Sequence, residues 1–412
     1  MVIRPFRPST EPRDLNTADK ARTNHIVDRV LALGPQATAK QLADVIENFA
    51  GRHRNFLAIC ETRADEIEGA LAPHAAFTQD QRRLLGAYLL HEYSFEASAL
   101  FNPSIVAHPD QSGVAEGDLR FVLSLRAVGE GHISSLTFRS GVIQADGNVL
   151  VDMKARLAEI PKVTNRVLGP NGETVDLRFD GDEGLCERVI FPVTDAQSNG
   201  LEDARFVAFD DAGTRTYYAT VTAYSGRAIR SELIETLDFV SFRITPLGGD
   251  ATLNKGMALF PRRIGGKYAM IGRQDNENLY LITSDSLTDW NGGTPILKPL
   301  FPWEFIQIGN CGSPIELDEG WLLLTHGVGP VRKYAIGAVL LDKSDPTKVL
   351  ARAREPLIGP QPSEREGYVP NVVYTCGALR HGNMVVLPYA TSDTFTRFSI
   401  IPIPALLDIM RH

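Results

Sequence analysis

The apolar positions of this chain change their period once. Before the change they recur at helical spacing: Ile26, Val27, Val30 and Leu31, then Leu42, Val45, Ile46 and Phe49, then Phe56, Leu57 and Cys60, and last Leu84, Leu85, Tyr88 and Leu89. Intervals of three and four put such residues on one face of a helix. Gly34-Pro35 and Ala72-Pro73 punctuate the stretch, so residues 15–93 read as three or four helices. Thr78-Gln79-Asp80-Gln81 adds a capping box, in which the Thr hydroxyl and the Gln side chain satisfy first-turn amides. Glu61, Asp65, Glu66, Glu68 and the arginines near them fall on a solvated face. This segment reads as packing or oligomerisation material, not chemistry.

From Phe101 the helical period disappears until Leu406. Short β-branched and aromatic runs alternate with Gly, Asp, Asn and Pro turns, the texture of hairpins. The clearest is Gly200–Val207, the turn Asp210-Asp211-Ala212-Gly213, and the run Tyr217–Tyr224. A turn glycine precedes an apolar run at Gly117, Gly213, Gly266, Gly320 and Gly382, the last four spaced by 53, 54 and 62 residues. The first interval, 96 residues, predicts an insertion over about 151–199. Each run ends on a polar or aromatic group: Arg126, Thr220 or Thr222, Arg273, His326, Tyr389. A polar residue opens the run before each glycine: Asn102, Asp203, Lys255, Asn310, Asn371. Four-stranded units of about 50 residues repeated around an axis are the pattern of a β-propeller. Equivalent positions of its blades converge on one end of the channel, so these residues predict a polar axial pocket.

Composition narrows the partners. The chain has 412 residues, 43% hydrophobic and 22% charged, ordinary for a soluble globular protein. That length allows two or three domains, or one large β domain with an addition. A formal net charge of −8 argues against nucleic acid and anionic membranes as partners. Four cysteines without CxxC spacing indicate neither a zinc site nor a disulfide framework, and fit a reducing cytoplasm. No apolar run reaches about 18 residues, and the polar stretch Met1 to Asp14 has no signal-peptide core.

The pocket so assembled would hold one carboxylate, Asp203, among several cations: Lys255, Arg273, Arg126 and His326. Guanidinium forks grip phosphate oxygens in pairs, which suits an anionic co-substrate. Asn, Asp and Arg also suit sugar hydroxyls, with Trp303, Trp321, Tyr224 and Tyr389 available for apolar sugar faces. One buried acid is enough for glycoside cleavage when phosphate is the nucleophile. Inverting hydrolysis needs a second carboxylate about 6.5–9.5 Å away to activate water, for which Glu304, Glu316, Glu364 and Glu366 are candidates. Gly129-Glu130-Gly131-His132 lacks the βαβ context of a dinucleotide loop, and His132 reads as a hairpin histidine at least as readily as a catalytic one. Walker A, HExxH, GxSxG and EF-hand patterns are absent.

Phe101-Asn102-Pro103-Ser104, Ser124–Gly129, Gly200-Leu201-Glu202-Asp203-Ala204-Arg205, Asn254–Pro261, Gly320–Val328 and Ala390–Thr394 stand in an order that resembles glycoside hydrolase family 130 over about residues 100–400. That family consists of five-bladed propellers, mostly β-mannoside phosphorylases with some β-1,2-mannosidases. The resemblance implies a mainly β fold: a helical extension over 1–98 and a five-bladed β-propeller catalytic domain over 99–412. It implies Asp203 as the general acid, acting through the sugar 3-hydroxyl. Asn102, Arg126 and Asp393 then hold the mannosyl unit, with Lys255 also on the substrate, and Arg273 and His326 bind phosphate. Inverting phosphorolysis would yield α-mannose 1-phosphate, with inorganic phosphate as co-substrate and neither metal nor organic cofactor.

The match has departures. Gln307-Ile308-Gly309 stands where the phosphorylases commonly have Lys-Ile-Gly, and Gly272-Arg273 where a His-Arg pair is expected. A β-1,2-mannosidase is therefore the alternative, and a non-catalytic carbohydrate-binding propeller a third reading. The remaining expectations are an oligosaccharide substrate, a cytoplasmic location, no nucleic-acid or membrane partner, and a homo-oligomer formed through the N-terminal helices.

Overall fold

The helical period of the N-terminal residues produces four helices, Asn16–Leu31, Pro35–Phe49, Phe56–Glu68 and Gln79–Tyr88. They are seen in a computed structural model that describes residues 1–6, 16–68 and 76–411. Two compact units divide the chain: Met1–Ser94 with Arg156–Glu159, and Phe95–Ala155 with Ile160–His412. Leu15 and the Ala72-Pro73 break lie outside the described residues.

In the first unit Val27, Val30, Leu85 and Leu89 are buried together, the apolar stripe the spacing predicts. The capping box forms, with Gln81 N donating to Thr78 Oγ1 (3.3 Å) and Thr78 N donating to Gln81 Oε1 (3.0 Å). Helix does not continue to Tyr93. Leu90–Tyr93 is a strand, antiparallel to Val2–Pro5 with Val2 opposite Tyr93. Two four-residue strands carry too little alternation to announce themselves; the second is tied to the preceding segment where Glu92 accepts from Arg52 Nε and contacts His53 Nε2, each at 2.7 Å.

The second unit is mainly β, in successive antiparallel meanders. Ala99–Ala107, Leu119–Val128, Ser134–Ile143 and Val149–Val151 form the first; Gly200–Asp211, Thr214–Tyr224, Ile229–Thr236 and Ser241–Pro246 form the second. A short parallel contact, Gly200 beside Ser134, joins these two into one sheet. Ala258–Leu259, Tyr268–Gly272, Leu279–Ser284 and Thr294–Leu297 make the third. The fourth holds Gln307–Asn310, Trp321–Gly329, Lys333–Leu341 and Val349–Arg352. The fifth pairs Val373–Tyr374 and Phe395–Pro402 on either side of Met384–Thr391. The expected insertion is ordered: its hairpin Lys162–Gly169/Gly172–Arg178 extends the second meander by pairing with Ser241–Pro246. At Gly213 the predicted turn needs a left-handed residue, and φ is 86° there, at no Cβ cost.

Every other side chain of a strand points to the same face, so a meander buried on both faces needs a neighbour on each. The cores lie between consecutive meanders. Val122, Phe138, Phe206 and Tyr217 fill the first interface, and Phe209, Tyr218, Leu259 and Met270 the second. Phe260, Ile271, Trp321 and Leu323 fill the third, and Leu322, Leu324, Val373 and Val385 the fourth, capped by the terminal helix Ile403–Arg411. A fifth core returns from the last meander to the first through Val386, Phe121, Leu123 and Leu125. Backbone bonds cross these seams: Asp210 N to Pro261 O (2.9 Å), Ile308 N to Glu277 O (3.1 Å), Tyr334 N to Asn371 O (3.0 Å) and Cys376 N to Pro103 O (2.8 Å).

Among the described residues, no helix is long and apolar enough to cross a membrane. The closest packing of the first unit generates a stability prediction. A Cβ added to Gly86 would lie 1.8 Å from Cys60 O on the facing helix. Gly86→Ala therefore forces the helices of residues 56–68 and 79–88 apart, and should destabilise the fold by about 1–3 kcal/mol despite the better helix propensity of alanine. Chemical denaturation measures this, and an unchanged midpoint would contradict the packing described.

Candidate active site

Alternation along Gly200–Asp211 would turn Glu202 and Asp203 to opposite faces. A β-bulge prevents this: the register with Thr214–Tyr224 shifts between Glu202 and Arg205, and Asp203 sits in the left-handed region at φ 56°. The first meander repeats the device, with a register shift between Phe101 and Ser104 and Asn102 at φ 51°. Asn and Asp tolerate this conformation better than other L-residues, which is a local reason for their presence at these equivalent positions. The two bulges bring their side chains together: Asn102 Nδ2 donates to Asp203 Oδ1 at 2.6 Å.

Arg126 holds both acids of the second bulge. Its Nη2 donates to Glu202 Oε1 (2.6 Å), its Nη1 to Asp203 Oδ1 (3.4 Å) and its Nε to Ser134 Oγ (2.9 Å), while its guanidinium lies 5.0 Å from the centre of the Phe101 ring. Lys255 Nζ reaches the other oxygen of Glu202 at 3.6 Å. Beneath them Arg205 is buried, donating to Asp203 O (3.0 Å) and to the Tyr374 hydroxyl (2.8 Å). Burial by itself would raise the Asp203 pKa. Arg126, Lys255, Arg205 and the Asn102 hydrogen bond outweigh it and hold this carboxyl well below its usual range.

The opposite wall is basic but less charged than the sequence suggests. Arg273 Nε donates to Lys255 O at 3.2 Å. Gln307 lies against it, its amide oxygen accepting from Arg273 Nη1 and its nitrogen donating to Asn276 O (3.3 Å) in the orientation these neighbours require. His326 is buried between Tyr334 and Tyr374, with ring centroids 5.8 and 4.8 Å away. That burial, and then Arg273 and Arg205, push its pKa well below the ordinary histidine value, so the imidazole is neutral. The expectation of a histidine cation is thereby corrected: His326 can offer an N–H but not a charge. Its Nδ1, Asn102 Oδ1 and both amide atoms of Asn310 are buried without a protein partner, the kind of polar atom that a bound ligand satisfies.

Asp393 completes the cluster from the last hairpin, at φ 49°. Desolvation first, and then the Asp203 charge, raise its pKa to about 7 against the pull of Arg126, Arg332 and Lys255. Thus all seven residues singled out from sequence, Asn102, Arg126, Asp203, Lys255, Arg273, His326 and Asp393, meet in one region. Glu202, Arg205, Tyr374 and Arg332 were missed as individual residues. The first two lie inside the quoted motif, but strand alternation gave no reason to face Glu202 inward.

Other candidates do different work. Trp321 is fully buried edge-on to Phe260, with Nε1 donating to Lys343 O (3.1 Å), and Trp303 Nε1 donates to Arg354 O (2.9 Å). Tyr389 packs on the core of the last two meanders. The Tyr224 hydroxyl donates to Gly226 O (3.3 Å). Glu304 is buried against the Leu300 and Phe301 amides and Arg352, Glu316 pairs with Arg262 (2.9 Å), and Glu364 pairs with Arg397 (2.6 Å). His132 is exposed and contacts the Tyr368 hydroxyl at 3.0 Å.

Residues 183–412 match the model of glycoside hydrolase family 130, described as β-1,4-mannooligosaccharide phosphorylase. A 1,2-β-oligomannan phosphorylase of Thermoanaerobacter sp. is 35% identical, the match covering 53% of this chain and 73% of that protein. A β-1,2-mannobiose phosphorylase of Listeria innocua is 32% identical over 50% of this chain and 58% of its own length. A solved structure of a Listeria innocua β-1,2-mannobiose phosphorylase superposes with a TM-score of 0.56 at 20% identity, covering 76% of this chain and 92% of that one.

The carboxyl pair generates a pH prediction. Because the folded Asp393 pKa is raised from 3.8 to about 7, the native state keeps a proton that the unfolded chain loses. This contribution to stability is complete at low pH and is lost as pH rises from about 4 through 7. Asp393→Asn should flatten that part of the stability profile, read by denaturation at pH 5 and pH 8. A slope identical in the variant would show that Asp393 is not the group that titrates.

Proposed function

The chain belongs to glycoside hydrolase family 130, and from that premise we propose that it cleaves β-mannosidic oligosaccharides by inverting phosphorolysis. The observation that carries this reading is the Asp203 carboxylate, held at a bulge between Asn102 and Arg126 and faced by Arg273 and His326. In this mechanism Asn102, Arg126, Lys255 and Asp393 orient the terminal mannosyl unit. Arg273 and the neutral His326 position inorganic phosphate through charge and an N–H donor. A phosphate oxygen forms the new bond to the anomeric carbon while the glycosidic C–O bond breaks. Asp203, gaining a proton as the phosphate anion offsets the positive potential around it, passes that proton through the sugar 3-hydroxyl to the departing oxygen and is left as the carboxylate. The products are α-mannose 1-phosphate and the shortened acceptor. We read the second unit as a five-bladed propeller; the return of the last meander onto the first, with a core at each of five successive interfaces, supports that reading.

One observation favours a second reading, an inverting β-mannosidase. Gln307 puts a neutral amide on Arg273, and His326 carries no charge, so the anion side is weaker than a cluster of cations would be. The two readings separate by co-substrate. With α-mannose 1-phosphate and a panel of sugar acceptors, a phosphorylase releases phosphate. Hydrolysis of β-mannobiose in phosphate-free buffer, with no phosphate release from any acceptor, would instead establish the mannosidase.

Asp203→Asn should lower kcat at least 10³-fold in either case while mannoside binding changes less than about tenfold, because the amide keeps the shape but donates no proton. Steady-state kinetics alongside calorimetric binding decides this. Wild-type turnover in the variant would remove Asp203 from the chemistry.

A further inference from the structure

The hairpin Lys162–Gly169/Gly172–Arg178 lies ahead of the residues that match the family model, and the fold treats its two strands differently. Val175 and Leu177 of the second strand are buried in the core between the first two meanders. The first strand is the last of its eleven-stranded sheet, and among the described residues no strand pairs with its outer edge. Every residue from Lys162 to Leu168 is exposed, Val167 to 53% and Leu168 to 84%. An open edge presents a row of backbone N–H and C=O groups to any strand that can align with it.

Charged side chains commonly guard such an edge by repelling or solvating a neighbour. Here they are engaged from within the same region of the chain. Lys162 Nζ donates to both oxygens of Asp180 (2.7 and 2.9 Å). Arg166 donates from Nη1 to Glu173 Oε2 (2.8 Å) and from Nη2 to Val193 O (2.9 Å), and Asn165 Nδ2 donates to Asp176 Oδ2 (3.1 Å). A register shift between Val163 and Asn165 leaves Asn165–Gly169 as the regular part of the strand, running opposite Asp176 to Gly172. Arg166 stands opposite the buried Val175, so Arg166 and Leu168 share the core-side face, and Asn165 and Val167 the other.

We propose that this edge pairs antiparallel with the same edge of a second copy of the chain, about a two-fold axis at Val167. Residues directly opposed in an antiparallel pair share a face, so the axis passes through a residue and not between two. At Val167 it sets the two valines against each other, Arg166 against Leu168 of the copy, and Asn165 against Gly169 of the copy. The valine pair and the leucine on the arginine stem are favourable cross-strand neighbours, and no like charges are opposed. An axis at Arg166 would oppose two guanidinium groups, and one at Leu168 would leave only Val167–Gly169 overlapping. The strand is therefore complementary to itself in one register, which is what a symmetric contact between copies requires. The overlap Asn165–Gly169 is small beside the roughly 20–30 residues a side of a standard interface, so the dimer is weak and forms as concentration rises.

The test is sedimentation velocity of the full chain over a range of concentrations, for the wild type and for Val167→Lys and Val167→Glu, each checked for an unchanged melting temperature. The wild type should pass from monomer to dimer as concentration rises. Each variant opposes two like charges on the axis and should raise the dimer dissociation constant by about tenfold or more. An equimolar mixture of the two variants opposes a lysine to a glutamate and should recover the dimer, which also shows that both retain the hairpin. A wild type that stays monomeric, a dimer that survives in either variant alone, or a mixture that fails to recover association would each overturn the inference.

Discussion

A carboxylate taken out of water must find compensation, and the neighbourhood of Asp203 is built to that constraint. Its hydration is replaced by the Asn102 amide and the Arg126 guanidinium, with Lys255 and Arg205 supplying further positive potential. Arg205 is buried as well, so the two charges are mutually dependent: each would be costly in isolation. The residues concerned come from different meanders, and therefore meet only when the strands that carry them are packed. Fold and site are coupled through this one group.

The bulges make that coupling work. A regular strand would aim Glu202 away from Asp203 and deprive Arg126 and Lys255 of their second acid. With the register shift, Glu202 bridges the two cations while Asp203 stays free to face the pocket. Glu202 therefore ties Arg126 and Lys255 to the same bulge that carries Asp203. On the far side Arg273 is fixed by Lys255 O and Gln307, and the neutral His326 is wedged between tyrosines. The charge of the site is thus divided: strong around the acid, moderate where an anion would lie.

Much of this was legible in the chain because a repeat converts sequence offset into spatial equivalence. Asn102 and Asp203 open their hairpins at matching places and do meet; Arg126 and Arg273, at the matching ends, do flank them. The rule weakens where the repeat is irregular. Asn371 adopts φ 62° and gives its carbonyl to Tyr334 N, and Tyr389 turns into a core. Aromatic residues were the poorest guide, since Trp321 fits a sugar face and an interface between meanders equally well on composition, and the structure buries it. Protonation was beyond reach for a different reason. A histidine beside arginines reads as a cation until its burial is known, and two aspartates 190 residues apart in the chain give no hint that one raises the pKa of the other.

That last coupling bears on how an acid catalyst can function here. Two carboxyls within electrostatic reach do not both ionise readily, and the cations decide which one keeps the proton. In the free site they favour the charged form of Asp203, so the proton resides on Asp393 up to about pH 7. Under the phosphorolysis reading this is the reverse of what the reaction needs. Binding of a phosphate anion beside Arg273 would lower the positive potential that keeps Asp203 ionised, and a mannosyl hydroxyl would take over part of the Asn102 and Arg126 interactions. Each change raises the affinity of Asp203 for a proton, and the two act together in the ternary complex. The cations that hold Asp203 ionised are thus the ones whose neutralisation by a bound anion turns it into an acid.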